Sequence, residues 1–292
     1  MIRAKLERIY SKERVINNLF ANLIGLQVFR YVGSHLIYYI KLLKNFKSFD
    51  KNLKKLVKIG YFKEEDILDE KTFELAKSEF EKLINSKHSK NLQNSAIINY
   101  SVNLGDEVLE EYPNLKKIYY NKKIKNYFSQ AEMKKDVDVK IRLERLIIKN
   151  DSMPDTNKVY HTDTFHNTYK AWIYLTDTNL ENGPLIIKEK SHRFSLRNII
   201  KNYIESIKYS IYVNWILKPS DEPINNYADN NYQFFRNFTP KKDLDKVTTR
   251  LESKKNTLVF ANTHAVHRRG DGNINSVRDS IHFYSRENPF KK

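Results

Sequence analysis

The 292-residue sequence contains no cysteine, and this absence removes several kinds of site. A disulfide scaffold, a zinc site built on thiolates and a cysteine nucleophile all need that residue. Clean apolar runs of the roughly 18–20 residues that span a bilayer are also missing. The N-terminus shows no secretory signal, because no apolar run there is followed by a cleavage site. We therefore expect a cytoplasmic protein without a transmembrane segment.

The charge of the chain is strongly positive and unevenly placed. There are 52 Lys+Arg and 35 Asp+Glu residues, a formal net charge of +17. Residues 1–60 hold 13 basic and 3 acidic side chains, which is 13 − 3 = +10 of that total. Such an N-terminal arm is suited to weak contact with an anionic membrane surface. Nucleic acid is the less favoured partner, because no zinc finger, phosphate loop or RNA-binding aromatic signature is present.

The first part of the chain has the periodicity of helices. Three- and four-residue steps, the period of one helix face, separate Leu19, Phe20, Ile24, Val28, Tyr31 and Val32. Amphipathic helices are also predicted over 71–87 and 114–129. We expect a basic N-terminal helical extension over residues 1–58 and a helical support over 59–130.

From about residue 131 the pattern is typical of strands. Apolar and polar residues alternate over 137–143, and turn-rich clusters separate further strand-like segments at 170–176, 184–187, 257–261 and 278–284. A helix is predicted over 195–211, and a long loop of the kind that covers a site over 218–246. Helices followed by strands predict an α+β fold, with helices packed on an antiparallel barrel or sandwich.

The tripeptide His161-Thr162-Asp163 is the first candidate for chemistry. Residues i and i+2 of an extended chain point to the same side, so the His161 imidazole and the Asp163 carboxylate converge. With one more imidazole they would form the two-His, one-carboxylate face that non-haem Fe(II) oxygenases use. His264 and His267, which follow the predicted strand 257–261, are both candidates for that imidazole.

Arg278 opens the next predicted strand, eleven residues after His267. A buried guanidinium needs an anionic partner. A dicarboxylic cosubstrate supplies one through a bidentate pair. The tripeptide, a histidine and this arginine therefore predict an iron site beside a carboxylate-binding site.

Over about residues 130–286 the sequence resembles the phytanoyl-CoA dioxygenase-like branch of the Fe(II)/2-oxoglutarate oxygenases. Besides the metal tripeptide, the resemblance rests on Ala171-Trp172-Ile173-Tyr174-Leu175-Thr176-Asp177, on Glu181-Asn182-Gly183-Pro184-Leu185, on Ser191-His192, and on His267 and Arg278. It implies a double-stranded β-helix (jelly-roll or cupin-like) core over 131–292, within an oxygenase domain over 59–292, with the N-terminal helices packed on it.

The same resemblance implies the roles of individual residues. Fe(II) would be held by His161, Asp163 and His267, with His267 preferred to His264 because Arg278 follows it at the family's spacing. Arg278 would bind the distal carboxylate of 2-oxoglutarate, and Trp172 would line the same pocket. His264 would then lie outside the ligand set.

The implied activity is an O2-dependent oxidation, a hydroxylation of a small molecule. Asp163 favours hydroxylation over halogenation, since related halogenases have a small residue in its place. Arg269 departs from the family, which usually has a small residue two places after the second histidine, and this alters the expected cosubstrate contacts.

Two alternatives remain open. The first is a non-catalytic jelly-roll protein that binds a ligand or a partner. The second is a nucleic-acid demethylase of the same superfamily, which is disfavoured because the next arginine, Arg286, lies eight residues after Arg278 without the demethylase pattern.

Overall fold

The computed structural model describes residues 18–150, 152, 155–211, 215 and 244–290. The first 17 residues of the predicted N-terminal extension lie outside this part of the chain. So does the predicted covering loop 218–246, except for its last three residues. No helix within the described part is long and apolar enough to cross a membrane.

Helices form the N-terminal part, as the periodicity predicts. They are α1 (Leu19–Leu23), α2 (Leu26–Asn45), a short 3-10 helix (Phe46–Ser48) and α3 (Lys51–Ile59). The Asp50 carboxylate caps α3 by accepting a hydrogen bond from the Leu53 N–H at 2.8 Å. Gly60 ends α3 in the left-handed conformation, at φ 104°.

The next segment contains strands that the sequence did not predict. Its elements are β1 (Tyr61–Glu64), α4 (Glu70–Ile84), β2 (Lys90–Gln93), β3 (Ile97–Asn103), α5 (Asp106–Leu109), α6 (Pro113–Tyr119) and α7 (Lys122–Glu132). The prediction of a purely helical support over 59–130 is therefore wrong where these three strands lie. β1 has only four residues and β2 is exposed along its whole length, so neither shows the apolar alternation of a half-buried strand.

The remaining elements match the predicted change to strands. They are β4 (Lys140–Ile148), a 3-10 turn (Thr156–Lys158), β5 (Tyr169–Tyr174), β6 (Leu185–Ile187), α8 (Leu196–Ile211), β7 (Thr249–Leu251), β8 (Leu258–Asn262), β9 (His267–Arg269) and β10 (Val277–Ser285). The predicted 137–143 strand begins later, at Lys140, and extends to Ile148.

Two antiparallel sheets make up the barrel. The larger has the strand order β1-β8-β5-β10-β4-β3-β2, and the smaller has the order β7-β6-β9. From β7 to β10, consecutive strands thus alternate between the two sheets, as in a jelly roll. The predicted α+β fold with a double-stranded β-helix core is confirmed.

One face of the large sheet packs against the helices. Alternate residues such as Ile141, Ile173 and Phe260 lie in one buried cluster with helical side chains such as Phe73 and Phe128. Leu53 and Leu56 of α3 belong to the same cluster. This confirms that the N-terminal helices pack on the barrel, while the domain division at residue 58 stays a prediction.

The opposite face of the large sheet points into the barrel and has two unlike halves. Near β8 and β5 it is apolar, where Tyr61, Tyr174 and Val259 pack against Leu185 and Ile187 of the small sheet. Across β10 and β4 the inward positions are polar instead. Cross-strand pairing there sets Ser280 beside Glu144 and His282 beside Arg142. The polar half marks the side of the barrel that is available to a polar ligand.

Candidate metal centre

The backbones of His161 and His267 pair with each other although the residues are far apart in sequence. Each N–H donates to the other's carbonyl oxygen at 2.9 Å, an isolated antiparallel bridge. Both imidazoles therefore leave the same edge of the barrel, and their ring centroids are 4.5 Å apart. Both side chains are buried, with 6% of each residue exposed.

Asp163 completes the group as the sequence predicted. One ligand atom from each of His161, Asp163 and His267 lies within 4.8 Å of the other two. The Asp163 Oδ1 atom is 3.8 Å from His161 Nε2 and 3.9 Å from His267 Nε2. Neighbouring ligands of an ion with bonds of about 2.1 Å stand about 3 Å apart, so small side-chain rotations bring these atoms to coordinating distance.

The hydrogen bonds of the two imidazoles fix which nitrogen faces the centre. His161 Nδ1 lies 2.7 Å from the Val159 carbonyl oxygen, and His267 Nδ1 lies 2.8 Å from that of Ala265. A carbonyl oxygen only accepts, so each Nδ1 carries the proton and each lone pair is on Nε2. This is the orientation of metal-ligating histidines, and the donor set fits a divalent ion such as Fe(II).

Lys170 is a partner of this site that the sequence did not point out. Its Nζ atom lies 2.8 Å from Asp163 Oδ2, while Oδ1 of the same carboxylate faces the two imidazoles. Alternation along β5 explains the contact, because Lys170 shares the inward face with Trp172. The ion pair orients Asp163 so that it presents one oxygen to the centre.

Arg278 lies where the sequence placed it, on the inward face at the start of β10. Its backbone pairs with Leu146 of β4, and Ser280, two residues on, pairs with Tyr174 of β5. The guanidinium donates a hydrogen bond to the Gly183 carbonyl oxygen. Burial lowers the pKa of Arg278, and Tyr174 partly offsets this effect. A carboxylate bound here would stabilise the charged guanidinium.

Trp172 also faces the barrel interior, where His282 covers its indole ring. The two rings are parallel within 3°, with centroids 5.1 Å apart. The Glu144 carboxylate lies 3.4 Å from His282 Nδ1 and forms an ion pair with Arg142. Burial acts to raise the pKa of Glu144, but the contact with His282 and the charge of Arg142 hold that pKa well below its usual range.

We call Arg142, Glu144 and His282 the inner polar wall. No motif in the sequence pointed to Glu144 or His282. The periodicity of β4 and β10 shows that these residues share one face, but not that this face encloses a cavity. Arg142 Nε and His282 Nε2 are both buried and have no hydrogen-bond partner within the described residues. They are therefore suited to bind a polar ligand.

His264 does not join the metal donors. Its Nδ1 atom lies 2.9 Å from the Thr164 carbonyl oxygen, and its ring packs 5.2 Å from that of His35 on α2. Burial lowers the pKa of His264 well below its usual value, so the ring is neutral. The preference for His267 over His264 therefore has geometric support.

Arg269, the departure from the family pattern, has a structural partner. Its Nη2 atom lies 2.7 Å from Asp155 Oδ2, and both side chains are almost fully buried. The pair joins β9 to the loop that leads into the metal tripeptide. Asp155 thus balances the charge of Arg269, whereas Arg278 lies on the inner face of the large sheet.

Comparison with known proteins bears on the fold alone. No protein-family model matches the sequence, and no curated protein matches it. A crystal structure of the epimerase SnoN, in complex with Fe3+, alpha-ketoglutarate and nogalamycin RO, is similar at a TM-score of 0.51 and 12% identity. The similarity covers 80% of this chain and 82% of SnoN.

A second similar structure is the non-haem alpha-ketoglutarate-dependent carbocyclase SnoK from nogalamycin biosynthesis. Its TM-score is 0.51 at 13% identity, and the match covers 82% of this chain and 84% of SnoK. At such low identity these matches support the barrel architecture, and the chemistry must be argued from the chain's own residues.

Proposed function

We propose that this protein is an Fe(II)- and 2-oxoglutarate-dependent oxygenase that hydroxylates a small molecule, of the phytanoyl-CoA dioxygenase-like type. The observation that carries the proposal is the buried His161–Asp163–His267 cluster, which occupies a jelly-roll interior that also holds Arg278. A buried group of two imidazoles and one carboxylate leaves coordination positions open for a cosubstrate and O2.

Each side chain has a separate role in this proposal. His161, Asp163 and His267 hold the iron, which when bound supplies the activation of O2 that amino-acid side chains cannot provide. Arg278 pairs with the distal carboxylate of 2-oxoglutarate, and Trp172 borders the same interior. Lys170 orients Asp163, and the inner polar wall contacts the substrate.

Anaerobic titration with Fe(II) and 2-oxoglutarate tests the proposal. The wild-type protein should develop the visible charge-transfer band of the ternary complex, and a His161→Ala variant should not. The exposed His88 provides the matched control, since His88→Ala removes an imidazole far from the metal cluster in sequence and should keep the band. Equal behaviour of the wild type and His161→Ala would refute the assignment.

Succinate formation separates this function from its rivals. An oxygenase converts 2-oxoglutarate slowly to succinate even without substrate, whereas a non-catalytic jelly-roll binding protein makes none. Salt-dependent retention on single-stranded DNA would instead support the nucleic-acid demethylase alternative. A cytoplasmic location, which fractionation would test, completes the proposal.

A further inference from the structure

The helices α1, α2 and α8 have their amphipathic faces reversed. In water a helix of a soluble protein buries its apolar face. Here α2 buries Gln27, Arg30, Ser34 and His35 together with Tyr31, and α8 buries Asn202, Glu205, Ser206 and Ser210. The apolar periodicity predicted around Leu19 to Val32 is present, but Phe20 and Ile24 point outwards.

Polar contacts hold these three helices together. The Asn22 amide of α1 donates to Ser210 Oγ of α8 at 2.8 Å, and Tyr203 of α8 donates to the Leu23 carbonyl oxygen at 3.0 Å. Gln27 of α2 donates to Asn202 of α8 at 3.4 Å. These hydrogen bonds connect the polar faces of the three helices to one another, so the packing of the helices directs their apolar faces outwards.

The outward faces of two neighbouring helices carry exposed apolar side chains. On α2 these are Phe29, Leu36, Ile40 and Leu43, spaced as one helix face, with 84% of Leu43 exposed. On α8 they are Leu196, Ile200, Tyr203 and Ile204. We call these eight residues the apolar face. Large exposed patches of this kind mark interaction sites.

The charges beside the apolar face have one sign. Residues 18–49 contain no Asp or Glu but include Arg30, Lys41, Lys44 and Lys47. Lys44 and Lys47 are exposed next to Leu43, while Glu205, the acidic residue of α8, is buried. A second copy of this chain would bring lysines against lysines. An anionic surface complements them instead.

We propose that the apolar face and the lysines beside it dock this protein on an anionic phospholipid bilayer. The helices lie in the interface with Phe29 and Leu43 inserted among the lipids, and Lys44 and Lys47 contact phosphate groups. The buried side of α2 meets residues 162–168, which we call the metal loop, where the Arg30 guanidinium lies 4.1 Å from the Phe165 ring centroid. In this arrangement α2 lies between the bilayer and the metal loop.

Vesicle co-sedimentation of the full-length protein tests this inference. We expect binding to vesicles of phosphatidylcholine and phosphatidylglycerol in equal parts, weaker binding to phosphatidylcholine alone, and a loss of affinity as salt is added. Phe29→Asp with Leu43→Asp should lower the affinity at least about tenfold, because apolar contact with the lipids is lost.

The lysine contribution is measured separately. Replacing Lys44 or Lys47 by Gln should cost about fivefold in affinity each, from the ~1 kcal/mol that a basic residue contributes at an anionic surface. The matched controls are Leu92→Asp and Lys90→Gln on the exposed strand β2. Both should bind vesicles as the wild type does. Unchanged thermal unfolding midpoints establish that the variants are folded.

Three results would overturn the inference. The first is that the wild-type protein sediments with neither kind of vesicle. In that case the apolar face would be covered by a second copy in a dimer or by another part of the same chain. The second is an equal loss of binding in the β2 controls. The third is binding that does not respond to salt or to phosphatidylglycerol. None of these depends on iron, so the proposed oxygenase function is tested independently.

Discussion

The Nδ1 atom of His264 lies 2.9 Å from the carbonyl oxygen of Thr164, so this imidazole is bonded to the backbone of the metal loop. His267, three residues later, has its Nε2 directed at Asp163. Two histidines on one turn thus have different roles. One is hydrogen-bonded to the loop that carries Asp163, and the other directs a ring nitrogen at the Asp163 carboxylate.

Because of this difference, we expect the same substitution to affect metal binding at His267 and stability at His264. His267→Asn should weaken Fe(II) or Co(II) binding at least about 100-fold, because one of three ligands is removed. His264→Asn should keep metal affinity within about tenfold and instead lower stability. Isothermal titration with Co(II) and urea unfolding measure the two quantities. An equal loss of metal affinity in both variants would contradict the ligand assignment.

Arg278→Gln should weaken 2-oxoglutarate binding while leaving metal binding unchanged. The lost hydrogen bonds to a charged partner contribute about 1.5–3 kcal/mol, so the dissociation constant should rise between about tenfold and about 150-fold. The charge-transfer band, titrated with 2-oxoglutarate at saturating Fe(II), gives the constant. Arg250→Gln on the exposed part of β7 is the charge-matched control and should have no effect.

The stability of the metal-free protein should fall as the pH is lowered. Burial lowers the pKa of His192 from 6.5 to about 4. Between these values the unfolded chain binds a proton that the folded protein does not, so the free energy of unfolding decreases from about pH 6.5 to about pH 4. A pKa shift of this size at one group changes the free energy of unfolding by about 3 kcal/mol over this pH range.

Urea unfolding at a series of pH values measures this dependence. His192→Gln should flatten the curve, because Gln does not titrate, while His88→Gln at an exposed site should leave it unchanged. An equally steep fall in the His192→Gln variant would show that other groups dominate. His264, whose pKa burial also lowers, is the next group to replace.

Gly60→Ala should destabilise the protein by at least about 1 kcal/mol. Gly60 has φ 104°, a backbone conformation that residues other than glycine rarely adopt. In addition, an added Cβ would lie 3.0 Å from His192 Nδ1. Gly105→Ala is the control, because an added Cβ there meets no atom within 4 Å. Chemical denaturation of both variants compares them, and equal midpoints would contradict the argument.

Much of the metal site was predictable because its motifs are short in sequence. His161 and Asp163 are two residues apart, and extended backbone brings such residues to one side whatever the rest of the fold does. Arg278 was recognisable as a cation at the start of an apolar strand. The contact between Lys170 and Asp163 was not, since it depends on how β5 lies beside the metal loop.

The strands β1 to β3 were missed for a related reason. β1 is positioned by its pairing with β8, where Phe62 lies opposite Phe260. Among the described strands, β2 pairs only with β3. Such short edge strands form because partners distant in sequence supply the hydrogen bonds. Local periodicity contains no information about those partners.

By itself, the sequence determined that the second half of the chain is rich in strands, which side chains can bind a metal, and that α2 is amphipathic. Only the tertiary structure decided that His267, and not His264, lies beside His161 and Asp163, that Arg142 and Glu144 face an enclosed interior, and that α2 turns its polar face inwards. Periodicity specifies that two faces differ, because it follows from backbone geometry. Which face is buried depends on the surface that the rest of the chain presents to it.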